Sequence, residues 1–127
     1  MRLAARQVVL LFLSVVGASW AVRAQTEDAA ATKRTPQFEN DEVKVWTSVV
    51  VPGSPLPLHR HEHPRVIVAL VGGTMKILEQ GGGSETQEWQ SGKAYWLPAN
   101  PPGTLHADVN AGEKPIEVVV VELKRAH

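Results

Sequence analysis

The chain has 127 residues, of which 43 % are hydrophobic and 20 % charged, so one compact domain is expected and there is no room for two. Its 13 basic residues balance 13 acidic ones, and the basic residues neither cluster nor alternate with aromatic ones, which argues against a nucleic-acid partner. The sequence contains no cysteine. Disulfides and thiol chemistry are therefore excluded, and stability must come from the core, a metal or oligomerisation.

The first 24 residues have the pattern of a secretory signal peptide. Arg2 and Arg6 form a basic start, residues 8–16 (VVLLFLSVV) are apolar, and a cut is expected before Gln25. The apolar core is too short to span a bilayer, although a retained membrane anchor is the alternative. Cleavage leaves residues 25–127, with ten basic and 13 acidic residues and a net charge of −3. We expect a secreted or periplasmic protein that is not attached to a membrane once the signal is removed.

The rest of the chain predicts a flexible arm followed by an all-β domain. Residues 25–37 are polar and small without periodicity, which is typical of an arm. From residue 38 onwards, about eight short strand-like runs alternate with glycine, proline and asparagine, and no helical period of useful length occurs. The clearest runs are 42–51, 66–71, 74–79, 87–90, 93–97, 104–110 and 116–124. Regularly spaced strands with tight turns indicate a sandwich or barrel over residues 38–127.

Two of these runs lack a polar face. Residues 66–71 read VIVALV and residues 118–121 read VVVV, which predicts burial on both sides. One side can face the barrel interior, and the other needs cover. A homodimer packed through the outer sheet faces, or the arm lying across a neighbour, would supply it. A monomer covered by its own second sheet is the alternative.

Three histidines, His59, His61 and His63, stand at alternate positions just before the run 66–71. In an extended strand, side chains two residues apart share a face, so the three imidazoles are expected to point the same way. Neutral imidazole is the commonest protein ligand of transition metals. The pattern therefore favours a metal site over an incidental polar strand end.

A further histidine, His106, follows the loop 98–103 (PANPPG). Two consecutive prolines stiffen this loop, and a stiff support suits a ligand position. Thr104, His106, Asp108 and Asn110 would share one face of the following strand, so this face must line something polar or reactive. Beside the first histidine strand, His106 becomes the natural third ligand.

The spacing of these residues resembles the two sequence motifs of the cupins. The first motif is matched by Gly53, five residues, His59, one residue, His61, three residues, Arg65, six residues and Gly72. The second is matched by Pro101, one residue, Gly103, two residues, His106, three residues and Asn110. Gly92 lies three residues further upstream than the second motif usually has it, so the PANPPG loop is lengthened.

This resemblance implies a double-stranded β-helix, the RmlC-like jelly-roll barrel, with a metal at its centre. In cupins the metal is held by two histidines and a glutamate from the first motif and one histidine from the second. Carried over by position, His59, His61 and His106 are the implied ligands of a divalent transition metal such as Zn, Fe, Mn or Ni. The glutamate is not matched.

Arg65 stands at the glutamate position and, by strand parity, on the face of the two motif histidines. A guanidinium cannot ligate a metal, and at about 6 Å from a divalent ion it costs on the order of 5 kcal/mol. Four explanations are open. In the first, Arg65 forms an ion pair with Asp108 or Glu62 and is structural. In the second, it binds an anionic substrate while the histidines hold the metal. In the third, no ion is bound and the barrel binds an organic anion. Finally, His63 serves as a further ligand.

The remaining candidates surround this centre. Asp108 and His63 are the candidate acid or base residues, because a carboxylate and an imidazole can both exchange protons with a substrate. Tyr95 and Trp96 point to opposite faces of one strand. One of them is expected to line the pocket mouth and bind substrate together with Arg65, and the other to pack in the core. Two further tryptophans are assigned to packing, and Glu122 to solvent or an ion pair.

Two functional classes follow. The first is an exported metal-dependent enzyme on a small anionic or oxygen-rich molecule, because three neutral histidines leave the full charge of the ion for polarising a carbonyl or for O2 activation by iron. The second is a non-catalytic binding protein for a metal or small ligand. Cupins include dioxygenases, isomerases, lyases, sugar-binding modules and storage proteins, so the fold does not choose between the two classes.

Overall fold

A computed structural model describes residues 31–125, and the predicted signal peptide and the first part of the predicted arm lie outside these residues. The described chain forms nine strands and no helix long and apolar enough to cross a membrane. The strands are β1 (Lys33–Glu39), β2 (Val43–Val50), β3 (Leu56–His59), β4 (Arg65–Val71), β5 (Gly73–Glu79), β6 (Ser84–Trp89), β7 (Ala94–Leu97), β8 (His106–Asn110) and β9 (Ile116–Leu123).

The strands form two antiparallel sheets. One has five strands in the order β1-β2-β9-β4-β7, and the other has four in the order β3-β8-β5-β6. Several neighbours in these sheets are far apart in the chain, since β4 pairs with β9 and β3 with β8. The architecture confirms the predicted all-β jelly roll.

The core lies between the two sheets and follows the alternation of the strands. On β4, Ile67 and Ala69 are buried while Val66 and Val68 are only partly covered. The ten buried residues of the core are Trp46, Val50, Leu56, Ile67, Ala69, Met75, Trp89, Ile116, Val118 and Val120. The two tryptophans assigned to packing are among them. The expected burial of residues 66–71 on both sides is not reached among residues 31–125, where Leu70 and Val71 are exposed and no second layer covers the outer face of this sheet.

The predicted arm is partly a strand. Residues 33–37 belong to β1, which pairs with β2 along the edge of the five-stranded sheet. All seven side chains of β1 are exposed, so no apolar pattern signalled it. The edge of β2 offers unpaired backbone groups, and their hydrogen bonds hold this polar segment in place. Thr32 extends the attachment, since its hydroxyl accepts a hydrogen bond from the Val51 N–H at 2.9 Å.

The histidine stretch is not one continuous strand. His59 ends β3, and residues 60–64 cross to the other sheet, where Arg65 begins β4. Two prolines flank this stretch and restrict the backbone, which favours a crossing over an extended ladder. The end of β3 and the start of β8 meet here, as do the start of β4 and the end of β9. One end of the barrel therefore collects residues from all four strands.

Candidate metal site

Three histidines meet at this end of the barrel. His59 and His106 are register partners on β3 and β8, and His61 reaches in from the crossing segment. A potential ligand nitrogen from each lies within 4.8 Å of the other two. His61 and His106 are buried, and His59 is largely covered. The structure thus brings together the three histidines that the motifs predict as ligands.

Hydrogen bonds orient two of the rings. Nδ1 of His59 lies 2.7 Å from the Pro57 carbonyl oxygen, which requires a proton on Nδ1 and leaves Nε2 as the lone-pair nitrogen. Nδ1 of His61 lies 3.3 Å from Oε2 of Glu122. A carboxylate or carbonyl behind a ligating imidazole is the usual arrangement around a metal, because it sets the tautomer and aims the ring.

The inner nitrogens have the character of metal ligands. Nε2 of His59 and Nε2 of His106 are buried, and neither has a hydrogen-bond partner among residues 31–125. A buried polar atom without a partner is costly, and a bound cation would remove that cost. Imidazole nitrogens on one ion at about 2.1 Å lie no more than about 4.2 Å apart. The observed spread of up to 4.8 Å exceeds this limit, so the three rings have to move towards one another for the donor set to hold a divalent ion.

Burial also keeps these rings neutral. It lowers the pKa of His59 and of His61, and it lowers the pKa of His106 to about 4. A proton and a metal compete for the same nitrogen, so a lowered pKa leaves the lone pairs available at neutral pH. The site can therefore accept a metal ion without first releasing protons from the imidazoles.

Glu122 was predicted to face solvent or to form an ion pair, and the structure pairs it with the ring of His61. The hydrogen bond from that ring is the main reason why the pKa of Glu122 is lowered. The alternation of residues along β9 predicts this placement. Glu122 is on the same face of the strand as the buried Val118 and Val120, so its carboxylate points between the sheets.

Asn100 is a second residue that sequence reasoning missed. It lies in the PANPPG loop, and its Oδ1 accepts a hydrogen bond from the His61 N–H at 2.7 Å. Its own N–H donates to the His61 carbonyl at 2.8 Å. The loop that precedes His106 therefore also holds the backbone of His61, which ties the two motifs together.

Arg65 points inwards, as its parity predicted, and is only 5 % exposed. Its side chain donates one hydrogen bond, from Nη1 to the Pro98 carbonyl at 3.3 Å. Within residues 31–125, no carboxylate lies within 4.0 Å of its guanidinium. The proposed structural ion pair with Asp108 or Glu62 is therefore absent, and Glu62 instead pairs with Arg60 at 2.6 Å. Burial lowers the pKa of Arg65 to about 10, so the group remains charged at neutral pH.

A second arginine approaches the site from β1. The guanidinium of Arg34 lies 5.5 Å from the centre of the Trp46 ring, and that ring lies parallel to the His61 ring with 6.2 Å between centroids. Arg34 is exposed as a whole residue, but desolvation of its guanidinium lowers its pKa, while the charges of Asp108 and Glu122 raise it. Because Arg34 falls within the predicted flexible arm, sequence reasoning gave it no role.

Two cavities flank the histidines. One of about 450 Å³ touches His61 and Glu122 and is lined by Arg34, Lys44 and Arg60. The other, of about 430 Å³, touches His106 and Arg65 and lies beneath the PANPPG loop. The first cavity also has Glu39 and Glu122 in its wall, and the second has Glu79 and Glu85 beside Arg65.

The remaining predicted residues are placed as follows. Asp108 lies 3.5 Å from both His59 and His106, while His63 is not part of the histidine group. Tyr95 packs against the core and accepts a hydrogen bond from the Gln90 N–H at 2.8 Å. Trp96 is 58 % exposed on the outer face. Neither aromatic residue lines a cavity that touches the histidines, because strand alternation turns one into the core and the other outwards.

Two motif positions, Gly72 and Asn110, have structural roles. A Cβ on Gly72 would lie 2.1 Å from the Trp89 carbonyl oxygen, so only glycine fits between these strands. Asn110 is buried, and its Nδ2 donates to the Val50 and Lys114 carbonyls at 2.8 and 2.7 Å. Asn110 therefore braces a turn and does not face the metal site.

Comparisons with known proteins agree with the geometry. No protein-family model matches the chain. It is 34 % identical over 90 residues to the beta-alanine degradation protein BauB of Pseudomonas aeruginosa, which covers 71 % of this chain and 90 % of that protein. It is 31 % identical over 88 residues to auxin-binding protein 1 of Arabidopsis thaliana, covering 63 % of this chain but only 41 % of that protein.

Solved structures show the same fold. A cupin domain from Bordetella pertussis superposes with a TM-score of 0.65 and 27 % identity, over 75 % of this chain and 95 % of that one. An RmlC-like cupin from Methanocaldococcus jannaschii, with a double-stranded β-helix fold, gives a TM-score of 0.57 at 16 % identity, over 76 % of this chain and 84 % of that one. Together with the histidine cluster between the two sheets, these relationships show that the chain belongs to the cupin family.

Proposed function

We propose that the protein binds a divalent transition metal through His59, His61 and His106 and uses this centre to bind a small anionic molecule, with a carboxylate as the first candidate. The observation that carries the proposal is the state of Arg65. It is a buried cation with no carboxylate partner in the described chain, and it borders a cavity that also touches His106. A planar guanidinium with free donors matches a carboxylate or phosphate in geometry and charge.

The charges around the site support an anionic ligand. Arg34 and Arg65 are balanced by Asp108 and Glu122, whose charges act on both arginines. The three histidines are neutral at pH 7 because burial lowers the pKa of each. A divalent ion therefore adds two uncompensated positive charges to a partly buried site, which an entering anion would offset.

The names of two relatives are consistent with this class of ligand. One relative is named for the degradation of beta-alanine and the other for the binding of auxin. Both compounds are small carboxylic acids. Because the chain spans less than half of the auxin-binding protein, we carry over only the chemical class.

The first version of the proposal is an enzyme. A bound ion would supply Lewis-acid polarisation of a substrate carbonyl or carboxylate, or O2 activation if it is iron. Arg65 would orient the substrate anion, and the core side chains around it would limit access of water. Asp108 lies 3.5 Å from both His59 and His106 and is the candidate proton acceptor.

The alternative is a non-catalytic binding protein for a metal or small ligand. Its support is the small number of acid or base groups at the site, since His63 lies outside the histidine group. A panel of small carboxylic acids distinguishes the two versions. An enzyme turns one of them over and loses this activity with a chelator, whereas a binding protein retains the ligand without turnover.

We also propose that the protein is exported and forms a homodimer. Export rests on the signal-like residues 1–24, and their removal is checked by the N-terminal sequence of the mature protein. Dimerisation rests on the exposed apolar side chains of the outer sheet face, among them Trp96 and Leu70. Light scattering during gel filtration should give twice the mass of one chain, and Trp96→Glu should reduce it to one.

Elemental analysis tests the metal centre. Residues 25–127, purified without a histidine tag, should retain about one metal ion per chain, and His106→Ala should lose most of it. His63→Ala is the matched control, since it removes a histidine of the same segment that lies outside the group. Absence of bound metal in the parent protein after incubation with Zn, Mn, Fe and Ni salts would contradict the proposal.

Titration calorimetry with a panel of small mono- and dicarboxylates tests the anion site in the metal-loaded protein. Arg65→Met should retain the metal but weaken carboxylate binding by tenfold or more, because the charge and its donors are lost. Arg125→Met removes an exposed arginine that lies beside Glu42 and should leave binding nearly unchanged. Equal affinities in the parent and in Arg65→Met would exclude a role for Arg65 in anion binding.

A further inference from the structure

The carboxylate of Asp108 faces the two histidines whose inner nitrogens lack partners. Its Oδ2 lies 3.5 Å from Nε2 of His59, and its Oδ1 lies 3.5 Å from Nε2 of His106. Those are the two ring nitrogens that have no hydrogen-bond partner among residues 31–125. Asp108 is 15 % exposed at its side chain, so the carboxylate is mostly removed from water.

These distances do not describe hydrogen bonds. A charge-assisted hydrogen bond between an imidazolium and a carboxylate measures about 2.7–2.9 Å, and neither pair is that short. The proton of the His59 ring is on the opposite nitrogen, where it is donated to the Pro57 carbonyl. The Asp108 carboxylate and the Nε2 lone pair of His59 therefore face each other without a proton between them, which is repulsive unless a cation lies between them.

The fold explains why Asp108 can reach this position. It lies two residues after His106 on β8 and so projects from the same face of the strand. It also faces Leu56 across the β3–β8 pair, close to His59. The first-motif carboxylate of other cupins would have come from β4, where this chain has Arg65.

We infer that Asp108 is a fourth metal ligand, which replaces the missing first-motif glutamate with a carboxylate from the second-motif strand. The donor set is then three imidazole nitrogens and one carboxylate oxygen. Asp108 is close to His59 and His106 but lies outside the 4.8 Å group that includes His61, so its side chain has to move towards His61 when the ion binds. The inference rests on the proposed metal site and adds a ligand to it, and it replaces the role of Asp108 as a proton acceptor. Asp108 as a ligand also lowers the charge at the centre by one, which offsets part of the repulsion between the ion and Arg65.

Metal affinity tests the inference directly. Metal-free protein of residues 25–127 is titrated with Zn²⁺ against a chromophoric chelator, and Asp108→Asn is expected to bind at least tenfold more weakly than the parent. Asp41→Asn is the matched control, since Asp41 is an exposed aspartate between β1 and β2. It should bind as the parent does. The visible spectrum of the Co²⁺-loaded parent should also change in Asp108→Asn, because the ligand set changes.

A crystal structure of the zinc-loaded parent provides a second measurement that does not depend on a variant folding. An Asp108 oxygen about 2.0–2.2 Å from the ion is expected, and an oxygen beyond about 3 Å overturns the inference. Unchanged affinity and an unchanged Co²⁺ spectrum in Asp108→Asn also overturn it, while the three-histidine site stands. If the parent binds no metal at all, the proposed function fails together with the inference.

Discussion

Asn100 and His61 form a two-point backbone connection between the loops that carry the two halves of the metal site. The side-chain oxygen of Asn100 accepts from the His61 N–H at 2.7 Å, and the Asn100 N–H donates to the His61 carbonyl at 2.8 Å. His61 lies outside any strand, so these bonds replace the ladder that would otherwise hold its backbone. A ligand on a loop is positioned well only when its support is rigid.

Asn100→Ala should therefore weaken metal binding by about tenfold and lower the free energy of unfolding by about 1 kcal/mol, since one partly buried hydrogen bond is lost. Asn40→Ala is a suitable control. Oδ1 of Asn40 accepts from the Glu42 and Val43 N–H groups at 2.8 Å each, in a turn between β1 and β2. This variant should lose similar stability with no loss of metal affinity. Equal loss of affinity in both would contradict the role of Asn100.

Glu122 is expected to set the orientation of the His61 ring. Glu122→Gln weakens the hydrogen bond to Nδ1 of that ring, now 3.3 Å long, and should lower metal affinity by about 10- to 100-fold. Glu117→Gln, on the opposite face of the same strand, should have little effect. Zinc competition titrations of both variants measure the difference, and a Glu122→Gln affinity equal to that of the parent would refute the prediction.

Arg65 should reduce the stability of the metal-free protein. Its guanidinium is buried with one hydrogen bond, and burial lowers its pKa to about 10, which means that the native state disfavours its charge. Arg65→Met keeps the length of the side chain without the charge, so it should raise the free energy of unfolding by about 1–3 kcal/mol. Urea denaturation with chelator present measures this change.

The control for that experiment is Arg60→Met. Arg60 is exposed and pairs with Glu62, so its replacement should change the unfolding free energy by no more than about 0.5 kcal/mol. A destabilised Arg65→Met variant would show that the guanidinium makes favourable contacts that outweigh its desolvation. A residue that is retained at a cost in stability is typical of a binding site.

The metal-free protein should become less stable as the pH falls from about 6.5 to about 4. Burial lowers the pKa of His106 to about 4, whereas an imidazole in the unfolded chain has a pKa of about 6.5. In this window the unfolded chain binds more protons than the native state, so the free energy of unfolding decreases as the pH falls. The contribution of His106 to stability is fully present above about pH 6.5. Thermal unfolding across this range measures the effect. His106→Gln should show a shallower decrease, and identical slopes would disprove the assignment.

Much of the fold could be read from local patterns. Runs of β-branched residues between glycine and proline turns predicted an all-β barrel, because strand periodicity is a local property. The resemblance to the cupin motifs predicted the ligand group His59, His61 and His106, and the parity of Arg65 placed it inside. The strand periodicity that grouped His63 with His59 and His61 was wrong, because residues 60–64 cross between the sheets. The strand β1 escaped prediction, since its side chains are all exposed and only backbone pairing with β2 orders it.

The sequence by itself thus determined the fold class, the three histidines and the inward cation. Only the tertiary structure decided what surrounds them, because Glu122, Asn100 and Arg34 reach the site from distant segments of the chain. Local periodicity states which face a residue occupies but not which strand lies opposite. That information depends on the pairing of β3 with β8 and of β4 with β9, which places the Asp108 carboxylate against two ring nitrogens.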